Sequence, residues 1–273
     1  MPNGKWPIWA FGNHDHPRIG DKIGATHVNA LNVLLLLLPG TPVTFQGEEL
    51  GMLGQHVSFE ETQDTFCKRF GPERYQEFSR DPARGPMLWN AAENAGFCPT
   101  GVKPWLPPHK DYLEMNAEYQ AESKGVSPLK LYRELALLRK MPQFQYGTIE
   151  PSHTTGNIYT FIRRCMPSQV NYNDWVSEDE QLPNYRYHVV VNVGQQMECL
   201  DNPATVLLGN DHYLPPSLSS PIHQPRVVLH TNNLRPDQVA ALASFPYGAL
   251  NVHPGQAFVI RSVQPGEEAG RYY

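Results

Sequence analysis

Residues 6–18 read WPIWAFGNHDHPR, an apolar and aromatic run that passes directly into a polar cluster. A short apolar run bounded by Gly and polar residues is typical of a buried strand that ends in a loop. The next segment, residues 23–38, is apolar on nearly all sides and precedes Pro39-Gly40, which indicates a buried helix that ends there. The sequence therefore predicts a unit of strand, polar loop and helix.

The same pattern begins again after this helix. Residues 42–45 form a second apolar run, and the polar segment Gln46-Gly47-Glu48-Glu49 follows it. Catalytic groups of (β/α)8 barrels lie on the loops that follow the strands, so both polar segments are candidate site loops. Neighbouring side chains at a strand end point in opposite directions, and we therefore interpret Glu48 and Glu49 as structural residues rather than a catalytic pair.

The rest of the chain separates into three regions. Residues 52–125 are rich in Pro, Gly, aromatic and charged residues without a sustained period, which predicts a long, ordered loop insertion. A helix is predicted from Ser127-Pro128 to about Lys140. Short apolar runs then alternate with Pro, Asn and Gly segments, which is typical of an antiparallel β-sandwich. These runs are residues 158–163, 187–193, 227–230 and 257–261.

The predicted fold class is α/β plus all-β. A closed (β/α)8 TIM barrel has eight strand–helix units, and residues 1–145 contain two of them. We therefore predict that residues 1–145 form the last strands and helices of such a barrel, with residues 52–125 as a loop insertion. Residues 146–273 are predicted to form a carboxyl-terminal β-sandwich domain.

Composition restricts the partners. The formal net charge of -5 argues against binding to nucleic acid. The longest apolar run, residues 33–38, is far shorter than the roughly 20 residues that span a bilayer, and the first residues do not resemble a signal peptide. The four cysteines lack the paired spacing of a zinc site, so we expect neither a metal nor a cofactor. The compartment stays open, with a secreted or a membrane-anchored parent protein both allowed.

Three motifs occur in order along residues 12–89. They are Gly12-Asn13-His14-Asp15, the segment 39–52 around Gln46-Gly47-Glu48-Glu49, and the segment 79–89, which contains Arg80-Asp81-Pro82-Ala83-Arg84. Together they resemble the maltase and α-glucosidase branch of the α-amylase superfamily, glycoside hydrolase family thirteen. The third motif departs from the family pattern Thr-Pro-Met-Gln-Trp, because this chain has Gly85-Pro86-Met87-Leu88-Trp89. The loss of a hydroxyl and an amide allows two interpretations, an altered substrate preference or relaxed selection on catalysis.

The resemblance implies a retaining α-glucosidase that hydrolyses terminal α-linked glucose from a maltose-like oligosaccharide. Asp15 matches the carboxylate that stabilises the transition state, because a fixed anion favours the positive charge that grows on the sugar ring. Asn13, His14 and Arg84 match residues that bind the substrate, and Arg84 offers a planar donor fork for the terminal glucose. Arg18 is predicted to contact the substrate at the margin of this site.

The same resemblance implies that part of the machinery lies outside residues 1–273. In the family, the nucleophile and the general acid lie on strands that precede the one carrying Asp15, and only eleven residues precede Gly12. We therefore expect the polypeptide 1–273 to be inactive alone and expect the preceding part of the barrel to be its partner.

Three alternatives compete with this interpretation. One is the ectodomain of a non-enzymatic amino-acid-transporter heavy chain, which also resembles maltases. Another is a carbohydrate-binding role of the β-sandwich, with Trp175 and Tyr185 as candidate sugar contacts. A third is a dinuclear metallophosphatase, which also uses Gly-Asn-His-Asp, but the chain contains no Gly-His pair of the kind that such sites require.

Overall fold

A computed structural model describes residues 5–151, 156–165, 185–200, 226–231, 238 and 249–263. The chain divides into two compact units. The first comprises Met1–Leu35 with Gly40–Arg133, and the second comprises Leu36–Pro39 with Glu134–Tyr273. Apart from residues 36–39, this division falls between residues 133 and 134. The domain boundary between residues 145 and 146 stays a prediction from the sequence.

The first unit contains two parallel strands with helices between them. The strands are β1 (Ile8–Ala10) and β2 (Thr41–Val43), and Ile8 pairs with Thr41. The intervening helices are α1 (Ile19–Ile23), a 3-10 turn at Ala25–His27, and α2 (Val28–Leu37). Two parallel strands need such a crossover, because a tight turn can join only antiparallel strands. The predicted order of strand, polar loop and helix is therefore confirmed.

Two details of this prediction are wrong. The first strand is not buried, since 72% of Ile8 is exposed, and β1 and β2 form a two-stranded sheet among the described residues. The helix does not run from residue 23, because Gly24 has a φ of 101°. This left-handed backbone ends α1, and the long helix begins only at Val28.

The segment 52–125 has short helices and turns. Apolar side chains hold it together in one core cluster of Leu50, Met52, Met87, Leu88 and Ala95. Its helices are α3 (Thr65–Lys68), α4 (Gly71–Arg74) and α5 (Ala117–Glu122), and 3-10 turns occur at Tyr75–Glu77, Asp81–Ala83 and Glu93–Gly96. Helices this short show no sustained hydrophobic period, which explains why the sequence pattern did not predict them.

The next helix, α6 (Pro128–Arg139), begins where Ser127-Pro128 predicts it. The Ser127 hydroxyl accepts a hydrogen bond from the Lys130 amide at 3.3 Å, so it caps the first turn. Within the described ranges, none of the helices combines the length and the apolar character that crossing a bilayer requires.

The second unit is built on antiparallel strands. A short helix, α7 (Pro142–Gln145), leads into a five-stranded sheet of order β3-β4-β5-β9-β7. Its strands are β3 (Thr148–Pro151), β4 (Ile158–Arg164), β5 (Tyr185–Asn192), β7 (Arg226–His230) and β9 (Ala257–Val263). A second, two-stranded sheet pairs β6 (Glu198–Leu200) with β8 (Leu250–Val252). One apolar cluster contains residues from both sheets, including Val190, Leu200, Leu250 and Phe258, so the sheets share a core.

A buried arginine also joins elements of the second unit, which includes the last residues of α2 from Leu36 onward. Arg163 on β4 is completely buried, and it donates hydrogen bonds to the carbonyl oxygens of Leu37 at 2.8 Å, Phe144 at 2.9 Å and Gly147 at 3.0 Å. Burial, followed by the nearby charge of Arg139, lowers the pKa of Arg163 to about 10. The guanidinium group remains charged at neutral pH and satisfies carbonyl groups near the ends of two helices.

Of the two candidate sugar contacts in this unit, one lies within the described residues. Trp175 lies outside the described residues. Tyr185 begins β5, and the guanidinium carbon of Arg261 lies 4.4 Å from the centre of its ring. That face of the Tyr185 ring is therefore occupied by a cation.

Candidate functional site

The first candidate loop follows β1 and is shaped by two local contacts. The Asn13 side-chain oxygen accepts a hydrogen bond from the Asp15 amide at 2.9 Å, which closes an Asx turn. At Gly12, an added Cβ would lie 2.3 Å from Oε1 of Glu48, so a larger residue would displace this carboxyl group. The loop therefore owes its position to a turn in front of Asp15 and to close packing at Gly12.

Glu48 connects this loop to the end of β2. Its side chain is buried, and Oε2 accepts a hydrogen bond from the Phe45 amide at 2.9 Å. Its carbonyl oxygen accepts one from the Asn32 side chain at 3.1 Å. Burial raises the pKa of Glu48, in spite of the Phe45 hydrogen bond and the charge of Arg18. These contacts agree with the structural role expected for Glu48.

The Asp15 carboxylate lies among three basic side chains. Oδ1 accepts hydrogen bonds from Arg84 Nη2 at 2.9 Å and from Arg80 Nη1 at 3.2 Å. Oδ2 lies 3.5 Å from His14 Nε2, and 48% of the side chain is exposed. Desolvation raises the pKa of Asp15, but His14 and the two guanidinium groups outweigh it and leave the pKa below its ordinary value. Asp15 is therefore an ionised and accessible carboxylate at neutral pH.

Arg84 connects the loop of His14 and Asp15 to the segment 79–89, in which Arg84 itself lies. Its Nε donates to the His14 carbonyl oxygen at 2.9 Å while Nη2 holds Asp15. Its Nη1 lies 3.9 Å from Asp81 Oδ1. Four residues that the sequence predicts for the site, Asn13, His14, Asp15 and Arg84, thus lie together.

Arg18 is not brought to this exposed cluster. Only 2% of it is exposed, its Nη1 donates to the Gln46 carbonyl oxygen at 2.6 Å, and its guanidinium carbon lies 5.0 Å from the centre of the Phe45 ring. Arg18 therefore ties the segment after β1 to the end of β2. A guanidinium group buried in this way has no open face for a sugar, so the geometry favours a structural role over the predicted substrate contact.

Sequence reasoning missed Arg80 and its partner Asp64. The Asp64 carboxylate accepts Arg80 Nε on Oδ2 and Arg80 Nη2 on Oδ1, both at 2.8 Å. This pairing holds the pKa of Asp64 well below its usual range. Arg80 lies in the third sequence motif, four residues before Arg84, and this spacing was a signal that could have been used. Asp64 carried no such signal.

Asp81 organises the segment that presents Asp64. Only 1% of Asp81 is exposed, and its Oδ2 accepts hydrogen bonds from the Thr62 hydroxyl at 2.6 Å, the Gln63 amide at 2.6 Å and the Asp64 amide at 2.9 Å. One buried carboxylate oxygen therefore holds three consecutive residues. The chain of contacts runs from Asp81 through Asp64 and Arg80 to Asp15.

The departures from the family motif do not lie on the exposed face of this cluster. Leu88 is fully buried in the core cluster of the first unit, so the missing amide is replaced by apolar packing. At Gly85, an added Cβ would lie 2.7 Å from the Gln55 side-chain amide. A larger residue at this position would require Gln55 to move.

The arrangement offers one anion and several cationic donors on an accessible surface. The exposed fractions of the side chains are 67% for His14, 37% for Arg80 and 27% for Arg84. Within the described residues, no group of three or more His, Cys, Asp or Glu side chains is placed to hold a metal ion. Hydrogen-bond donors next to an acceptor-only carboxylate suit a ligand with several hydroxyl groups, which can accept from the former and donate to the latter.

Comparison with known proteins identifies one family. The family model for the alpha amylase catalytic domain matches residues 1–147. The chain is 33% identical to Maltase A1 of Drosophila melanogaster over 201 residues, which are 74% of this chain and 32% of that protein. It is 39% identical to the human amino acid transporter heavy chain SLC3A1 over 140 residues, which are 50% of this chain and 18% of that protein. The chain thus spans a third or less of these relatives.

A solved structure shares the fold. The crystal structure of Bacillus licheniformis trehalose-6-phosphate hydrolase is similar to 96% of this chain with a TM-score of 0.70, and the match covers 44% of that chain at 23% identity. At this identity the similarity concerns the fold alone.

Proposed function

This chain belongs to the α-amylase family, and from that premise we propose that its first unit forms the glucose-binding edge of a retaining α-glucosidase. The resemblance inferred from the three motifs is confirmed by the family match and by the maltase relatives. The observation that carries the proposal is the contact of Arg84 with both the Asp15 carboxylate and the His14 carbonyl oxygen. It joins the residues of two motifs in one exposed cluster.

The architecture of each unit also supports the proposed assignment to a glycosidase. We propose that β1, α2, β2 and α6 are the last units of a (β/α)8 barrel in a domain of residues 1–145. The antiparallel strands of the second unit then belong to a β-sandwich domain of residues 146–273. The parallel pairing of β1 with β2 and the shared core of the two antiparallel sheets support this proposal.

In the proposed mechanism, Asp15 stabilises charge rather than forming a bond. Glycoside cleavage develops positive charge on the sugar ring, and a fixed anion binds the transition state more tightly than the ground state. Two guanidinium groups hold Asp15 Oδ1, so its ionised form is in place before the substrate arrives. Arg84 holds His14 with Nε and Asp15 with Nη2, and its Nη1 lies 3.9 Å from Asp81 Oδ1. The exposed 27% of the Arg84 side chain is the part that would meet a hydroxyl of the terminal glucose.

We expect the polypeptide 1–273 to bind methyl α-glucoside through this cluster, as measured by ligand-observed NMR titration. Asp15→Asn and Arg84→Met should each weaken binding by a factor of about 10 to 100, because each removes charge-assisted hydrogen bonds worth about 1.5–3 kcal/mol. Arg74→Met is the matched control, since Arg74 pairs with Glu77 on an exposed surface. Equal affinity of Asp15→Asn, Arg84→Met and the unaltered chain would contradict the proposal.

We expect no glucose release from maltose by the same polypeptide. A retaining glycosidase needs a nucleophilic carboxylate and a general acid about 5–5.5 Å apart across the scissile bond. Among the described residues, the ion-pair partners of Asp15 are the basic side chains of His14, Arg80 and Arg84, and Arg80 binds both carboxylate oxygens of Asp64. A coupled glucose-oxidation assay would test this, and turnover that is abolished by Asp15→Ala would show that residues 1–273 contain a complete site.

The heavy-chain relatives support a second proposal. The match to the human heavy chain covers 50% of this chain. We therefore also propose, as the alternative function, an ectodomain segment of a non-enzymatic transporter subunit. Retention of His14, Asp15 and Arg84 in one exposed cluster favours the glucosidase. The titration with methyl α-glucoside separates the two proposals, because the heavy-chain function does not require glucose binding.

A further inference from the structure

We propose that Asp64 and Arg80 form an anchored ion pair that positions the Asp15 carboxylate for the substrate. Arg80 is then a positioning residue, because it acts on the substrate through Asp15. This inference rests on the proposed function insofar as Asp15 binds a sugar. The placement of Asp15 by Arg80 can, however, be tested without any sugar.

The geometry of Arg80 carries the proposal. Its Nε and Nη2 bind the two oxygens of Asp64, each at 2.8 Å, and its backbone amide donates to Asp64 Oδ2 at 3.1 Å. A bidentate pair fixes the plane of a guanidinium group, which a single ion pair does not. The remaining nitrogen, Nη1, therefore has a set position, and it donates to Asp15 Oδ1 at 3.2 Å.

Asp64 is itself a rigid anchor. Only 1% of its side chain is exposed, and Oδ1 also accepts a hydrogen bond from the Phe66 amide at 3.1 Å at the start of α3. The Asp64 amide donates to the buried Asp81 carboxylate at 2.9 Å. A buried carboxylate with these partners cannot rotate without leaving several polar groups unsatisfied.

Arg80 and Arg84 therefore hold Asp15 in different ways. Arg84 also binds the His14 carbonyl oxygen, so it is attached to the same loop that it holds. Arg80 is attached to Asp64, which lies on a different segment. Arg80 thus sets the position of Asp15 relative to the rest of the unit.

The test is a ¹³C NMR titration of the Asp15 side-chain carboxyl group in the polypeptide 1–273. The Asp15 signal is identified by its loss in Asp15→Asn. The titratable and charged groups that face Asp15 are His14, Arg80 and Arg84. We expect Arg80→Met to shift the pKa of Asp15 upward, because one of two donors to Oδ1 is lost.

Further variants distinguish the positioning of Asp15 by Arg80 from the effect of the Arg80 charge alone. Asp64→Asn should also raise the pKa of Asp15, although Asp64 has no recorded contact with it, because Arg80 loses its anchor. Arg80→Lys keeps the charge but cannot bind both oxygens of Asp64, so it should restore only part of the lowering. Arg74→Met, which removes an exposed arginine paired with Glu77, should leave the titration unchanged.

An unchanged Asp15 titration in Arg80→Met, together with an upward shift in Arg84→Met, would overturn the inference. If Arg80→Met does not fold, ¹⁵N NMR of the arginine side chains in the unaltered chain tests the inference instead. Separate, slowly exchanging Arg80 Nη1 and Nη2 signals would support the anchored pair, and one averaged signal would overturn it. A chain that binds no glucoside but shows the expected Asp15 shifts would contradict the proposed function and leave this inference standing.

Discussion

Replacement of Arg163 by methionine is expected to lower the free energy of unfolding of the second unit by about 3–5 kcal/mol. The substitution keeps much of the apolar stem but removes three hydrogen bonds to the carbonyl oxygens of Leu37, Phe144 and Gly147. Each buried acceptor left without a donor costs about 1–3 kcal/mol, and the removal of a buried charge offsets part of the sum. Urea denaturation followed by far-UV circular dichroism measures the change.

The neighbouring residue on β4 provides a matched control for this prediction. Arg164 pairs with Glu150 across β3 and β4, and both side chains are partly exposed. Arg164→Met should cost less than about 1 kcal/mol, because partly exposed ion pairs contribute little. Equal losses of stability in Arg163→Met and Arg164→Met would show that the three carbonyl contacts of Arg163 do not stabilise the unit.

Replacement of Asp81 by alanine is expected to have a comparable effect on the first unit, a loss of about 3–5 kcal/mol. The donors of Thr62, Gln63 and Asp64 would lose one common buried acceptor. The segment that carries Asp64 would then move, and Arg80 would lose the geometry with which it reaches Asp15. We therefore expect weaker binding of methyl α-glucoside as well, although Asp81 itself lies below the surface.

Hydrogen exchange of backbone amides and the milder substitution Asp81→Asn test this second prediction further. Asp81→Ala should remove the protection of the Gln63 and Asp64 amides, whereas Asp81→Asn retains an oxygen acceptor and should lose only about 1–2 kcal/mol. Asp111→Ala is the control, because that carboxylate is 58% exposed on the same long loop. Full protection of the Gln63 and Asp64 amides in Asp81→Ala would contradict the assigned role of the buried carboxylate.

Much of the first unit could be predicted because its signals are local. The change from the apolar run at residues 6–11 to Asn13-His14-Asp15 predicted a strand followed by a polar loop, and β1 and the site loop lie there. The resemblance of the third motif implied that Arg84 belongs to the same site as Asp15, and the structure brings Arg84 to within 2.9 Å of Asp15. Its contact with a sugar stays a prediction. The start of α6 followed from the capping preference of Ser127.

Other features depend on contacts between distant segments. Arg18 has the same side chain as Arg80 and Arg84, yet it is buried under the end of β2, and no local pattern distinguishes the three arginines. The exposure of Ile8 likewise depends on which segments pack on β1, because an apolar run does not show which faces of a strand are covered.

The sequence by itself determined the order of strand, loop and helix, which follows from residue type and period. The family and the candidate residues Asn13, His14, Asp15 and Arg84 followed from the resemblance of the three motifs to known sequences. Only the tertiary structure decided that Arg80 is anchored by Asp64 and that Arg163 binds three carbonyl groups. The reason is physical. A buried charge is stable only when its partners converge on it, and convergence is a property of how segments pack, which no local stretch of sequence specifies.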